Sequence, residues 1–194
     1  MTDPRPAVFL DRDGTLNVNP PPHQYVTAVE DFRWLPGALD GLVYLARAGF
    51  VLAVVSNQRG VARGLVSPEL LRGIERIIQH DLGVHGCAIE AFRYCPHDLS
   101  AACDCRKPRP GMLTGLAHEL SLDLSKSWMV GDAPSDIQAG RAAGCRTVQI
   151  AGARIGTGAD LVAGSLIEAA RLIPAPGAQP PETALASKPA TRAS

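Results

Sequence analysis

The chain has 194 residues, 46% of them hydrophobic, with 19 basic and 19 acidic side chains and a formal net charge of +0. That size and apolar fraction suit one globular core, and the balanced charge excludes a nucleic acid or an anionic membrane recognised by bulk charge. No segment has the length of a transmembrane helix, and the opening residues lack the form of a secretory signal, so a cytoplasmic protein is expected.

The first element is an apolar run at 7–10 that enters Asp11-Arg12-Asp13-Gly14-Thr15. Four apolar residues running into two carboxylates and a glycine read as a buried parallel strand ending at a ligand-binding loop, since open α/β sheets bind ligands beyond their carboxyl ends. One acid can attack an electrophile and the other move protons, and together they can attract a divalent cation. A capped turn would use the same residues. Pro20-Pro21-Pro22 then marks an irregular loop close enough to border the same site. Leu39, Leu42, Val43 and Ala46 recur at helical spacing before Gly49, which suits a C-terminal cap.

A second strand at 50–55 ends in Ser56-Asn57-Gln58, whose hydroxyl and amide can donate to phosphate oxygens, with Gly60 and Gly64 nearby to turn backbone amides toward an anion. Ser67-Pro68-Glu69 starts a helix whose buried face is Leu70, Leu71, Ile74, Ile77 and Ile78. After a third strand at 88–94 comes Cys95-Pro96-His97, then, five residues on, Cys103-Asp104-Cys105. Three thiols and an imidazole make a tetrahedral zinc set, and four protein ligands leave no open position, so the metal is expected to be structural. The odd total of five cysteines argues against a disulfide framework.

Arg106-Lys107-Pro108 follows the thiols, where lysine can neutralise phosphate as a point charge and arginine can grip it with two bonds. Pro110 opens a helix carrying Leu113, Leu116, Ala117 and Leu120. The fourth strand, 128–130, ends in Gly131-Asp132 with Pro134-Ser135-Asp136 behind it. Asp136 suits either a first-turn acid favoured by the helix dipole or a partner that orients a site residue. A fifth strand is expected at 147–150. From Pro174 the composition turns to Pro, Ala, Thr and Ser, so 174–194 read as a disordered extension of a domain at 5–173. Alternating strands and helices predict an α/β, doubly wound, mostly parallel sheet.

The order DxDGT, serine after the second strand, lysine and GDxxxD resembles the haloacid-dehalogenase-like superfamily and, within it, the Mg²⁺-dependent phosphatases. The resemblance implies Asp11 as nucleophile and Asp13 as general acid and base. It implies Mg²⁺ held by the Asp11 side chain, the Asp13 backbone carbonyl and Asp132, with Ser56 and Lys107 gripping the phosphoryl oxygens. Asp13 favours a phosphatase over the haloalkanoate dehalogenases of the same fold, which need no acid there. The strings FLDRDGTLN, SNQRGVARG and CPH…CDCRKPRPGM are similar to those of the D-glycero-D-manno-heptose 1,7-bisphosphate 7-phosphatases, with the histidinol-phosphate phosphatases as near relatives.

Both groups lack a large cap domain and carry the zinc loop, implying Zn²⁺ on Cys95, His97, Cys103 and Cys105. The heptose enzymes match better at residues 60–64 and 110–112, whereas the short gap between His97 and Cys103 resembles the histidinol enzymes. By the same resemblance Arg106 recognises the distal part of a small phosphorylated substrate, Asn57 lines the phosphate site, and the loop 19–25, with Asn19 and Tyr25, contacts the sugar. Ala133 departs from the family, which often has a basic residue there. A non-catalytic zinc-binding module would be expected to lose Asp11, Asp13, Lys107 or Asp132, and none is lost. A monomer is expected, because no heptad or long apolar face calls for a partner. His23, His80, His85 and His118 match no motif, Trp34 and Trp128 suit packing, and Cys87 and Cys145 read as small buried hydrophobes.

Overall fold

A computed structural model describes residues 3–21, 24–150 and 158–178. Six parallel strands form one sheet in the order β3-β2-β1-β4-β5-β6: β1 Ala7–Leu10, β2 Val51–Asn57, β3 Ala91–Cys95, β4 Trp128–Gly131, β5 Arg146–Ile150 and β6 Leu161–Ala163. The connecting helices are α1 Ala38–Arg47, α2 Pro68–Gly83, α3 Gly111–Leu120, α4 Pro134–Ala143 and α5 Leu166–Leu172. The expected doubly wound α/β fold is therefore the observed one.

The central strands are continuous apolar runs because both of their faces are covered. Alternation sends Val8, Leu10, Leu52, Val54 and Val130 into one core layer, under α1, α2 and α5. It sends Ala7, Phe9, Ala53, Val55 and Met129 into the other, with α3 and the α4 residue Ala139. Ser67 caps α2 by accepting from the Leu70 amide at 3.1 Å. Gly49, just past α1, has φ +96°, a left-handed conformation that glycine adopts without a Cβ penalty.

Strand bounds differ from expectation in instructive ways. β2 runs on through Ser56 and Asn57 because they pair with Tyr94 and Cys95 of β3. The sequence reading missed β6 and α5: three strand residues and seven helical ones carry too little periodic signal. α5 is nevertheless well placed, with Ser165 accepting from the Glu168 amide and Leu166 packed so tightly on α1 that Gly41 has no room for a Cβ.

β1 is the switch point of the winding. β2 lies on one side of it and β4 on the other, so the crevice opens beyond the carboxyl ends of β1 and β4. Among the described residues, the β1–α1 connection holds one short 3₁₀ turn, at 29–31, and no inserted domain. Pro22 and His23 lie outside the described residues, as do 179–194 of the expected tail. Residues 174–178 are described and share a cavity wall with Pro4, Pro6, Phe50 and Trp128. No helix among the described residues is long and apolar enough to cross a membrane.

Candidate active site

Three strand ends supply the site. Asp11 follows β1, Ser56 and Asn57 close β2, and Asp132 follows β4. These residues share a cavity of about 260 Å³ with Asp13, Asn19, Tyr25 and Lys107. Of the sequence-predicted substrate residues, only Arg106 is not on its wall; its guanidinium donates to the His97 carbonyl at 3.4 Å, within the Cys/His loop.

Lys107 is the electrostatic hub. Its ammonium is buried and donates to Asp11 Oδ1 at 2.8 Å and to the Val55 carbonyl at 2.7 Å, and it pairs with Asp136 Oδ1 at 2.7 Å. Burial alone would favour the neutral amine, but the charges of Asp11 and Asp136 outweigh it and hold the lysine above its ordinary pKa. Asn57 fixes the lysine from behind, donating to the Lys107 carbonyl and accepting from the Lys107 amide, both at 3.0 Å. Its amide is thus spent on Lys107, although the residue borders the cavity.

Asp136 fills both roles the sequence left open. Oδ2 accepts from the Ala133 amide at 3.0 Å, capping α4, and Oδ1 faces Lys107. Gly131 is small for that reason, since a Cβ there would collide with the Asp136 carboxylate.

The acids outnumber the cation beside them. Burial, with Asp136 and Asp13 close by and Lys107 opposing, pushes Asp11 up to about 7. Burial and Asp136 push Asp132 up to about 6. Carboxylate oxygens of Asp11, Asp132 and Asp136 lie within 4.8 Å of one another. A crowded set of oxygen donors whose ionisation is disfavoured in isolation fits a divalent cation, which would supply the missing positive charge. Asn19 donates to Asp132 Oδ2 at 3.3 Å, and Gly14, at φ +86°, leaves the space that this carboxylate occupies.

Asp13 is held by three side chains that sequence reasoning did not assign. Arg12 donates from Nε and Nη2 to Oδ1, at 3.1 and 2.9 Å, and from Nη2 to Oδ2 at 2.8 Å. Asn17 donates to Oδ1 at 2.9 Å and Gln58 to Oδ2 at 2.9 Å. Gln58 also donates to Ser56 Oγ at 3.1 Å, which leaves the serine proton free for another acceptor. The only available signal was local: polar residues beside the acids and after the second strand.

The second cluster also assembles. Cys95 closes β3 at full burial, while His97, Cys103 and Cys105 come from the loop before α3. Cys95 and Cys103 sulfurs are 3.8 Å apart, and His97 Nδ1 lies 3.6 Å from Cys95 Sγ and 3.2 Å from Cys105 Sγ. Zinc–sulfur bonds of about 2.3 Å at tetrahedral angles place two sulfurs about 3.8 Å apart, whereas a disulfide needs about 2.0 Å. The set fits Zn²⁺. Arg109 donates to the Cys103 carbonyl, and the Gly111 amide donates to the Asp104 carbonyl at 3.1 Å, tying the loop to α3.

Comparison with known proteins shows the family. The chain is 36% identical over 183 residues to a D-glycero-beta-D-manno-heptose-1,7-bisphosphate 7-phosphatase of Photorhabdus laumondii, covering 90% of this chain and 96% of that protein. The chain belongs to the heptose-bisphosphate phosphatase family. The enzyme of the same name from Yersinia pestis is 39% identical over 154 residues, covering 76% of this chain and 80% of that one. The HAD-hydrolase-like family profile matches residues 104–169. Among solved structures, a D,D-heptose 1,7-bisphosphate phosphatase from B. bronchiseptica, complexed with magnesium and phosphate, superposes with a TM-score of 0.76 at 30% identity. That match covers 86% of this chain and 96% of the other. A putative HAD-like phosphatase from Mesorhizobium loti gives a TM-score of 0.72 at 29% identity, covering 89% and 88%. Heptose-family membership places the chain among the phosphoric monoester hydrolases.

Proposed function

We propose that this chain is a Mg²⁺-dependent phosphatase that removes the 7-phosphate of D-glycero-D-manno-heptose 1,7-bisphosphate through an aspartyl-phosphate. The β anomer is the one specified in its relatives' names. The observation that carries the reading is the meeting of Asp11 with Lys107, at 2.8 Å, in a cavity that Asp13, Ser56 and Asp132 also line.

In this reading the Asp11 carboxylate attacks phosphorus as the bond to the sugar oxygen breaks, and Asp13 gives that oxygen its proton. Asp13 then takes a proton from the water that cleaves the acyl phosphate, regenerating Asp11. Lys107 and the Ser56 hydroxyl hold the phosphoryl oxygens, and Asn57 keeps Lys107 in place. Asp11, Asp132 and the Asp13 carbonyl would hold Mg²⁺, which when bound neutralises charge on the transferring group. Arg106, Asn19 and Tyr25 are assigned to the distal part of the substrate. Arg106 would swing in from the rim, since its contact to the His97 carbonyl is long and surface-exposed.

Cys95, His97, Cys103 and Cys105 would hold a structural Zn²⁺. We assign the activity to one domain, residues 5–173, acting as a cytoplasmic monomer. Support for this assignment comes from the single sheet with its two core layers and the five free cysteines. The test is phosphate release with Mg²⁺ from both anomers of the heptose bisphosphate and from histidinol phosphate. The highest kcat/KM is expected for the β-heptose bisphosphate, and Asp11→Asn is expected to abolish turnover of every substrate. A clear preference for histidinol phosphate would overturn the substrate assignment. Full activity in the asparagine variant would overturn the mechanism.

A further inference from the structure

Arg12 is 1% exposed, one of the largest fully buried side chains in the protein. It continues the side of β1 that carries Val8 and Leu10, which alternation turns toward the α1, α2 and α5 layer. Its charge is felt there by the Tyr94 phenol, which also faces Glu75 of α2. The arrangement is not built for stability. Arg12 Nη1 is buried without a hydrogen-bond partner, and burying a guanidinium with one arm unsatisfied costs folding free energy. Apolar residues of similar volume would serve the core better.

What the cation does accomplish lies on its other edge. Nε and Nη2 form a fork on Asp13, whose side chain is 22% exposed. Oδ1 accepts from Arg12 and Asn17, and Oδ2 accepts from Arg12 and Gln58. Oδ2 is the oxygen on the Ser56 side, because the Gln58 amide that touches it also touches Ser56 Oγ.

We infer that Arg12 is a positioning residue for Asp13: its fork holds both carboxylate oxygens in one plane, Asn17 adds a second bond to Oδ1, and Gln58 ties Oδ2 to the phosphoryl-binding serine, so that Oδ2 faces the leaving group. The inference rests on the assignment of Asp13 as the acid that protonates the departing sugar oxygen. A fork fixes a carboxylate in plane and rotation, which a point charge cannot do.

The readout is leaving-group dependence. An alkoxide leaving from a sugar phosphate needs a proton, whereas p-nitrophenolate does not. With Mg²⁺ present, the quantity compared is kcat/KM, which covers the steps up to release of the alcohol and leaves out hydrolysis of the aspartyl-phosphate, a step common to both substrates. Asp13→Asn should lose far more kcat/KM on the heptose bisphosphate than on p-nitrophenyl phosphate, which tests the acid assignment by itself. Arg12→Met should follow the same pattern, with kcat/KM on the sugar phosphate falling about 100-fold through lost orientation and that on the aryl phosphate changing by less than about threefold. Arg12→Lys should fall between, as charge without the fork.

Should Arg12→Met fail to fold, as judged by its melting curve, Arg12→Lys carries the same comparison. Equal losses on both substrates would reduce Arg12 to a structural residue and overturn the inference, as would an unchanged ratio in folded variants. If Asp13→Asn itself shows no leaving-group effect, the acid assignment fails instead.

Discussion

Lys107 Nζ and Asp11 Oδ1 meet at 2.8 Å across 96 positions of sequence, and both residues are buried. The contact joins the end of β1 to the loop that leaves the Cys/His cluster. It also makes the ammonium the local counter-ion for two carboxylates, since Asp136 shares it.

Removing that cation leaves Asp11 and Asp136 facing each other. Lys107→Ala should therefore destabilise the protein by about 3 kcal/mol, the scale for breaking a buried ion pair from one side. It should also lower kcat by at least about 100-fold. Urea titration and steady-state kinetics measure the two losses. Asp11→Asn keeps an oxygen for the lysine to contact, so it should retain a cooperative unfolding transition while losing turnover.

The raised acids give a pH dependence with a definite sign. Asp132 ionises near 6 and Asp11 near 7 in the folded protein, so protons compete with Mg²⁺ below those values. Affinity for Mg²⁺ should tighten from pH 5 to about 7 and then level off, with protons released on binding, as isothermal titration calorimetry in two buffers can record. Because these pKa values lie above those of the unfolded chain, the metal-free protein should lose stability as pH rises from about 4 through 7. Added Mg²⁺ should therefore raise the melting temperature more at pH 8 than at pH 5.

The Cys/His cluster should contain one zinc per chain by elemental analysis of protein purified without chelators. Cys105→Ser, or prolonged chelation, should melt the loop that presents Arg106 and Lys107. If that costs about 3 kcal/mol, Tm falls by about 6–12 °C for a domain of this size. Catalytic loss should accompany the fall even though no zinc ligand borders the cavity.

Gly14 is a sharper probe than its neighbours. An alanine there would hold a left-handed φ of +86° and push its methyl into the Asp132 carboxylate. The backbone strain alone is worth about 1–2 kcal/mol. We expect Gly14→Ala to weaken Mg²⁺ binding by at least tenfold, measurable as a raised Mg²⁺ requirement for activity, with a smaller effect on stability.

Much of the site was legible because its chemistry is written in short strings at strand ends. Asp11, Asp13, Ser56, Lys107 and Asp132 each follow an apolar run or a metal-like cluster, and parallel winding brings such positions to one rim. Arg12, Asn17 and Gln58 were not assigned, because their roles are hydrogen bonds to Asp13 with no spacing rule behind them. Asn57 was legible as a neighbour of the site, but not as the clamp on the Lys107 backbone 50 positions away. β6 and α5 were invisible for a related reason: they are too short for periodicity and are held by tertiary contact with β5 and α1.

By itself the sequence determined the α/β winding, the two clusters and the family resemblance, because hydrophobic alternation and ligand spacing are local properties of the chain. Only the tertiary structure decided which acid each donor serves. Burial removes water from Asp11, Lys107 and Asp136 together, and a buried charge must take the partner that the fold places within about 3 Å.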